Sequence, residues 1–421
     1  MLYILKKIIP TPLFQLLQPR YHFLLSLLGA VRYWFPSRNI TVVGVTGTKG
    51  KSTTVEIINA LLEKAGNKTA VSNTIRFKVG DESWSNKFKM TMPGRFFIQK
   101  FLRSAVTAGC THVVLEMTSE GVKQFRHKFI ELDALIFTNI AAEHIESHGS
   151  YENYVAAKLQ LAKSLEKSHK KNKRIISNID DKHGKEFLNI NVENKYTYSL
   201  KDALPYNITE HGATLTIQNE VYESPLLGVF NAYNTIAAVV FAKSVGINTK
   251  TIQRAIKNIE LIPGRVEQID MGQNFIVIVD YAHTKESLEQ LYRTFDQRRK
   301  ICVLGNTGGG RDVWKRPKMA QIADKYCSRI ILTNEDPYDE DPREIIDDMK
   351  KAIHKHPPDI IINRREAIRS ALQKASRDDV VLVTGKGTDP YIMGPNNTKE
   401  PWSDVRVVKE ELQNILHARK K

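Results

Sequence analysis

The sequence predicts an α/β chain: a central, mostly parallel sheet domain followed by a smaller α/β domain, with a short helical arm in front. Three observations carry this. Two blocks of the chain alternate short β-branched runs with stretches of helical apolar spacing, the pattern of parallel strands joined by helices. A glycine-rich segment, residues 46–52, stands between the first such run and the first such helix. And 421 residues exceed what one ordinary core organises, so two or three domains are expected. The divisions are 1–39 for the arm, 40–262 for the central domain and 263–421 for the last.

The arm comes first. No acidic residue precedes Glu56, while leucine, isoleucine and phenylalanine crowd residues 2–28. Pro10, Pro12 and Pro19 break the run, and Lys6, Lys7, Arg20 and Arg32 punctuate it. No apolar stretch reaches the roughly 18–20 residues of a spanning helix. Two readings stay open: a helical arm packed on the body, or a basic amphipathic arm over residues 1–34 resting on an anionic membrane. In the central domain, residues 40–45 (ITVVGV) read as a strand and 53–64 as a helix. Residues 112–115, 134–137 and 174–176 are further buried strands. Beyond residue 262, strands are expected at 275–279, 300–304, 329–332, 360–362 and 380–383. Helices lie between them at 287–297, 317–326, 342–355 and 366–376, a second doubly wound, Rossmann-like unit.

Composition narrows the function classes. The net charge is +16, with 62 Lys and Arg against 46 Asp and Glu. The surplus is diffuse except at residues 167–174, which read as the capped, solvated end of a helix. No aromatic-interleaved basic motif accompanies it, so no nucleic-acid partner is expected. Cys110, Cys302 and Cys327 lie far apart without a CxxC pair. That argues against a disulfide framework or a zinc site and suits a reducing compartment, the cytoplasm.

Thr46-Gly47-Thr48-Lys49-Gly50-Lys51-Ser52-Thr53 is the sharpest signal. Glycines let backbone N–H groups turn around phosphate oxygens, and the helix that follows adds a partial positive charge. Lys51 neutralises β- and γ-phosphates, and the Ser52 or Thr53 hydroxyl ligates Mg2+. The general P-loop pattern is missed at one position, because Val45 stands where its first glycine belongs.

In the form GVTGTKGKSTT this loop resembles the ATP loop of the Mur ligases. Later segments fit the same family in the same order, most like its MurE branch, which adds the third residue to the peptidoglycan stem peptide. Thr91-Met92-Pro93 is similar to that branch's Thr-Thr-Pro, with Met92 a departure. Glu116-Met117-Thr118-Ser119-Glu120-Gly121 resembles its Glu-Val-Ser-Ser-His-Gly, with Glu120 in place of the histidine. By this likeness Thr91, Thr118, Gln124 and Arg126 bind the carboxylate substrate. A lone carboxylate ending a buried strand is costly unless it meets a cation, so Glu116 is either a metal ligand or an ordinary strand-end acid.

Residues 138–149 (TNIAAEHIESHG) resemble a segment whose first histidine ligates magnesium, here His144; read alone, His144 is a hydrogen-bonded loop histidine. Residues 151–158 align with the segment that supplies a carbamylated lysine. Lys158 then helps to hold a second Mg2+; the alternative is an unmodified surface lysine. Asn231 and Asn234 match an adenine-contacting element, and are otherwise helix caps. Pro263-Gly264-Arg265 and Asp280-Tyr281-Ala282-His283 resemble ATP contacts of the family's last domain, with Arg265 at the γ-phosphate, Asp280 at the ribose and His283 beside the nucleotide. The loops carrying Arg311, Asp336, Tyr338, Gly385 and Asp389 match those that hold the incoming amino acid; alone they are polar turns.

The resemblance covers roughly residues 37–412 and leaves out the family's usual N-terminal uridine-nucleotide domain. It implies a ligase of peptidoglycan biosynthesis that uses ATP and Mg2+ to couple an amino acid to a nucleotide-sugar peptide or similar carboxylate through an acyl-phosphate. A diamino acid is expected, with lysine favoured over diaminopimelate. Tyr338 stands where the diaminopimelate branch has an arginine, and Glu335, Asp336, Asp339 and Asp389 would attract a distal ammonium. The competing readings are a sibling ligase of folylpolyglutamate or cyanophycin type, and a membrane-associated regulatory NTPase.

Overall fold

The computed structural model describes residues 11–143, 145–310 and 312–420. They form two compact units. One gathers the chain up to Ala142, His148–Leu204 and Tyr233–Ile256; the other gathers Glu143–Ser147, Pro205–Ala232 and the chain from Lys257 on.

The first unit is built on eight strands: β1 (Thr41–Thr46), β2 (Thr69–Ser72), β3 (Arg76–Val79), β4 (Glu82–Ser85), β5 (His112–Met117), β6 (Ala134–Phe137), β7 (Arg174–Asn178) and β8 (Asn194–Tyr198). Their order is β4-β3-β2-β5-β1-β6-β7-β8. Only the β2–β3 and β3–β4 pairings are antiparallel. The central strands are continuous apolar runs because helices cover both faces of such a sheet; β1 is buried from Val42 to Thr46. The expected strands are all present. β1, β5 and β7 run one or two residues further, which brings Thr46 and Glu116 into the sheet.

The helices here are α1 (Thr11–Arg32), α2 (Lys51–Lys64), α3 (Arg95–Thr107), α4 (Ser119–Lys123) and α5 (Tyr151–Glu166), with α6 (Val229–Ser244) and α7 (Thr249–Lys257) later in the chain. α1 continues through Pro19 rather than breaking there. The cost is one backbone hydrogen bond; Pro12 sits in the first turn, where no N–H is needed. α1 packs through Ser26, whose hydroxyl donates to Phe125 O at 2.8 Å, and through Phe23, whose ring centroid is 5.4 Å from that of Phe129. The basic segment after α5 caps it as expected, with Lys173 Nζ donating to Glu166 O at 2.8 Å and Ser168 O at 3.1 Å. Residues 1–10 of the arm lie outside the described chain.

The second unit holds two main sheets. One is antiparallel and was not anticipated: β9 (Tyr206–Thr209), β10 (Gly212–Ile217) and β11 (Glu220–Ser224), in the order β11-β10-β9. Its sequence signal is the two-residue turn Gln218-Asn219, with φ of 52° and 63°, the tight hairpin in which asparagine is favoured. The other sheet comprises β12 (Glu267–Gln268), β13 (Ile276–Asp280), β14 (Lys300–Leu304), β15 (Arg329–Leu332), β16 (Asp359–Ile360) and β17 (Val380–Thr384), ordered β12-β13-β17-β14-β15-β16. Only β12 is antiparallel to its neighbour. The helices are α8 (Lys285–Thr294), α9 (Lys315–Tyr326), α10 (Pro342–Lys350), α11 (Arg364–Gln373) and α12 (Asp404–Lys420), with a small hairpin of β18 (Tyr391–Met393) and β19 (Lys399–Pro401).

The cysteine expectation is corrected here. Cys302 on β14 and Cys327 at the end of α9 form a disulfide, with Cα atoms 6.1 Å apart and both residues buried. Twenty-five positions of linear separation concealed the contact, because a strand–helix–strand connection returns the chain to the neighbouring strand. No described helix is long and apolar enough to cross a membrane.

Candidate active site

The turn from β1 to α2 is held by its glycines. Gly47 and Gly50 have φ of 152° and 81°. A Cβ at Gly47 would stand 1.9 Å from Thr138 Oγ1, and one at Gly50 would stand 2.2 Å from Asn234 Oδ1. Neither position admits a side chain. The residues after β6 fix the loop from outside. Thr48 N donates to Asn139 O at 2.7 Å and Lys49 N to Asn139 Oδ1 at 2.9 Å. Thr138 Oγ1 and Asn139 Nδ2 both donate to Lys49 O, at 2.7 and 3.1 Å. The Thr48 and Tyr154 hydroxyls are 2.8 Å apart. A loop held this way at a helix N-terminus presents fixed dipoles to an anion.

Lys51 Nζ donates to Thr48 O at 2.8 Å and lies 3.9 Å from Glu116 Oε1. Glu116, at the end of β5, is 3% exposed. It accepts from Ser52 Oγ at 2.8 Å, from Thr74 N at 2.9 Å and from Thr74 Oγ1 at 3.1 Å. The Thr74 hydroxyl in turn lies 2.8 Å from that of Thr91. Thr53 is buried behind Ser52. Asn234 Oδ1 accepts from Thr54 Oγ1 at 3.3 Å, on the far side of Gly50. Lys158 is buried, not a surface lysine: its Nζ donates to Gly47 O at 2.6 Å and lies 4.7 Å from the Tyr154 ring centre.

Mg2+ commonly binds through one or two carboxylates together with substrate phosphate oxygens and water. A buried carboxylate bonded to a hydroxyl on the first turn of a phosphate-loop helix fits that requirement. Among the described residues no group of three or more His, Cys, Asp and Glu is gathered to hold a metal ion. His144 lies outside the described residues.

On α4, Thr118 is an N-cap that accepts from Gly121 N at 3.1 Å. Glu120, in the place of a family histidine, lies 3.4 Å from His148 Nε2. Met92 is buried against Gly121, where a Cβ would meet its sulfur at 2.4 Å. Arg126 donates to Gln124 Oε1 at 2.6 Å and to Met92 O.

The second unit has its own cluster at the carboxyl ends of β13 and β17. Asp280 accepts from Val266 N at 2.7 Å and Ala282 N at 2.6 Å. Burial raises its pKa, opposed first by the Arg265 charge. The Arg265 guanidinium lies 4.4 Å from the Tyr281 ring centre. His283 Nδ1 lies 2.6 Å from Tyr281 O and its Nε2 3.0 Å from Glu143 Oε1. Asn231 Nδ2 donates to Leu227 O at 2.9 Å.

In the loops expected to hold the amino acid, Lys386 is fully buried and donates to Asp336 Oδ1 at 2.8 Å and Tyr391 O at 2.7 Å; Asp389 lies 3.5 Å away. Asp336 also accepts from Met393 N at 2.7 Å, and Asp339 from Asn396 N at 2.7 Å. Glu335 is buried, its pKa raised by that burial, and Gly385 leaves it room: a Cβ there would stand 2.2 Å from Oε2. Tyr338 has φ of 54° and packs by Gly309. Arg311 lies outside the described residues. Sequence reading passed over Thr74, which sits in no motif, and Lys315, which pairs with Asp312 and lies 3.8 Å from Glu143.

Comparison with known proteins decides the family. The Mur ligase middle domain matches residues 45–242, and the Mur ligase glutamate ligase domain matches residues 264–387. A UDP-N-acetylmuramoyl-L-alanyl-D-glutamate–2,6-diaminopimelate ligase of Syntrophomonas wolfei is 37% identical over 405 residues, covering 92% of this chain and 81% of that protein. This chain belongs to the Mur ligase family. The correspondingly named ligase of Bacillus cereus is 35% identical, over 93% of this chain and 82% of its own length. A solved structure of a ligase of that name superposes with a TM-score of 0.62 at 30% identity, covering 90% and 79% of the two chains. A Mycobacterium tuberculosis folylpolyglutamate synthase, at 15% identity and a TM-score of 0.69 over 87% of this chain and 92% of its own, shares the fold. As a Mur ligase of this branch, the chain is an ATP-dependent ligase that forms amide bonds.

Proposed function

We propose that this Mur ligase joins 2,6-diaminopimelate to the free carboxylate of a nucleotide-sugar peptide, using ATP and Mg2+. The observation that carries the proposal is the constellation of Lys51, Ser52 and Glu116 on a preset glycine loop. The substrate carboxylate attacks the γ-phosphorus, a carboxylate–phosphorus bond forms, and ADP leaves. The amino group then attacks the acyl-phosphate carbon and phosphate departs. Mg2+, held by Ser52 and Glu116, would neutralise charge on the phosphate oxygens.

The protein's own part is positioning and charge. The amides of residues 47–53 and Lys51 orient the γ-phosphate; Arg265 stabilises the charge that develops there, Asp280 holds the ribose, and His283, Asn231 and Asn234 hold the nucleotide. Thr91, Thr118, Gln124 and Arg126 take the carboxylate substrate. The loops of Arg311, Asp336, Tyr338, Gly385 and Asp389 take the amine, and Lys158 and His144 complete the metal environment. The division at residues 40–262 and 263–421 follows the two domain matches, 45–242 and 264–387, whereas the compact units draw Glu143–Ser147 and Pro205–Ala232 into the second.

The preference for lysine is reversed. Asp336 and Asp389, invoked to attract a distal ammonium, are engaged by the protein's own buried Lys386. The named relatives are diaminopimelate ligases. Use of ATP supports a cytoplasmic location, with α1 resting on an anionic membrane surface. The test is to supply ATP, UDP-muramoyl dipeptide and equal diaminopimelate and lysine, then weigh the product. A diaminopimelate adduct is expected. A lysine adduct would restore the earlier preference, and ATP turnover without any amide would favour a regulatory NTPase.

A further inference from the structure

A cavity of about 270 Å3 opens in the first unit, lined by Gln18, Pro19 and His22 of α1 and by Glu120, Lys123 and Gln124. His22 is 5% exposed, and neither of its ring nitrogens has a hydrogen-bond partner. Buried polar atoms are rarely left so, because the unmade bond costs more than a made one returns. Gln124 ties this wall to two guanidinium groups. Arg95 Nε donates to its backbone oxygen at 2.9 Å, and Arg126 Nη2 to its Oε1 at 2.6 Å. Each arginine keeps one buried nitrogen without a partner, Nη2 of Arg95 and Nε of Arg126. The acid on the wall, Glu120, is partly exposed and lies 3.4 Å from His148.

The electrostatics agree with the geometry. Burial and then the charges of Arg95 and Arg126 hold the His22 pKa down to about 4. Burial and then Arg126 hold Arg95 down to about 10. An anion entering the cavity beside His22 meets the charges of Arg95 and Arg126, which Gln124 holds behind the wall, and relieves their repulsion.

We propose that His22, Arg95 and Arg126 form the seat for an oxyanion of the carboxylate substrate, so that α1 supplies one wall of the acceptor site. The proposal rests on the ligase reading above and adds two residues, His22 and Arg95, that carry no motif. The seated group is a phosphate of the nucleotide-sugar or a carboxylate of its peptide. The geometry accommodates either, because guanidinium forks and imidazole N–H groups bind both.

The experiment is calorimetric titration of the full chain, its nucleotide loop saturated with ADP, against uridine diphosphate and separately against L-alanyl-D-glutamate. Wild type, His22→Leu and Arg95→Gln are compared after melting curves confirm that each is folded. At least one probe binds wild type, and both variants weaken it by about tenfold or more, the loss of a charge-assisted bond, with ADP affinity unchanged. Weakening of uridine diphosphate alone assigns the seat to the diphosphate; weakening of the dipeptide alone assigns it to a carboxylate. No binding of either probe, or unchanged binding in both variants, overturns the proposal. A failed ligase reading shows differently, as intact probe binding without amide product.

Discussion

Ser52 Oγ donates to Glu116 Oε2 at 2.8 Å, and this bond ties the first turn of α2 to the end of β5. It places a carboxylate on the sheet and a hydroxyl on the phosphate-loop helix within reach of one cation. Glu116→Gln keeps an acceptor for the Ser52 and Thr74 hydroxyls and removes the charge. Turnover is expected to fall by about 100-fold or more, the scale of losing one electrostatic contact in such a site, while the melting temperature changes little. A variant that turns over at the wild-type rate at low Mg2+ would remove Glu116 from the metal site.

Lys51 Nζ bonds back onto the loop through Thr48 O at 2.8 Å. ATP offers it a stronger partner, because a bond to a charged phosphate oxygen outweighs one to a neutral carbonyl. Lys51→Ala is therefore expected to abolish nearly all ATP turnover and leave the circular-dichroism spectrum unchanged. Wild-type turnover in the folded variant would dismiss the loop assignment.

Lys158 is 2% exposed, beside Tyr154 and the Gly47 carbonyl. Carbamylation would turn this buried amine into an anion next to the metal site. Intact-protein mass measured in bicarbonate is expected to show the added carbon dioxide, and Lys158→Ala to lose activity that short carboxylates partly restore. An unmodified lysine together with a fully active alanine variant would refute it.

The parallel core was legible because buried strands in a helix-covered sheet must be continuous apolar runs, and residues 134–137, 300–304 and 329–332 came out to the residue. The loop was legible because only glycine tolerates the approach of Thr138 and Asn234. Illegible parts depend on contacts distant in sequence. Thr74 meets Glu116 across 42 positions, and Cys302 meets Cys327 through a strand–helix connection. The antiparallel sheet of residues 206–224 was missed because its short strands are half polar and resemble loop.

Arg364 and Asp404 illustrate a stability term of that hidden kind. Arg364 Nε and Nη2 donate to Asp404 at 2.8 and 2.7 Å, Nη2 also donates to Thr384 O, and the two side chains are 1% and 0% exposed. Removing one partner strands a buried charge, which typically costs about 3–5 kcal/mol. Urea denaturation of Asp404→Ala should show a loss of that order. Arg364→Met/Asp404→Leu should recover part of it, since an apolar pair strands no charge. A single variant as stable as wild type would contradict this.

α1 is turned inside out relative to an ordinary surface helix. Its buried face carries His22, Ser26, Gly29 and Ala30, while Leu17, Tyr21, Leu24, Leu28 and Val31 are exposed by 42, 37, 56, 56 and 54%. Their spacing keeps them on one face of the helix. Gly29 lets α1 lie close to α3, where a Cβ would be 3.4 Å from Arg95 O. Apolar stripes of this kind mark interaction surfaces. Arg20 and Arg32, with no acid on the helix, support the proposal that this stripe rests on an anionic membrane. Leu24→Ser/Leu28→Ser alters the stripe and leaves His22 and every site residue in place. Each leucine that enters an interface is worth about 1.5–3 kcal/mol, so binding to vesicles containing anionic phospholipid should fall by tenfold or more. High salt should weaken wild-type binding by screening the arginines, with ATP turnover unaffected. If the variant instead loses an oligomer seen by sedimentation while vesicle binding stays as it was, the stripe pairs with a second copy and the membrane reading is wrong.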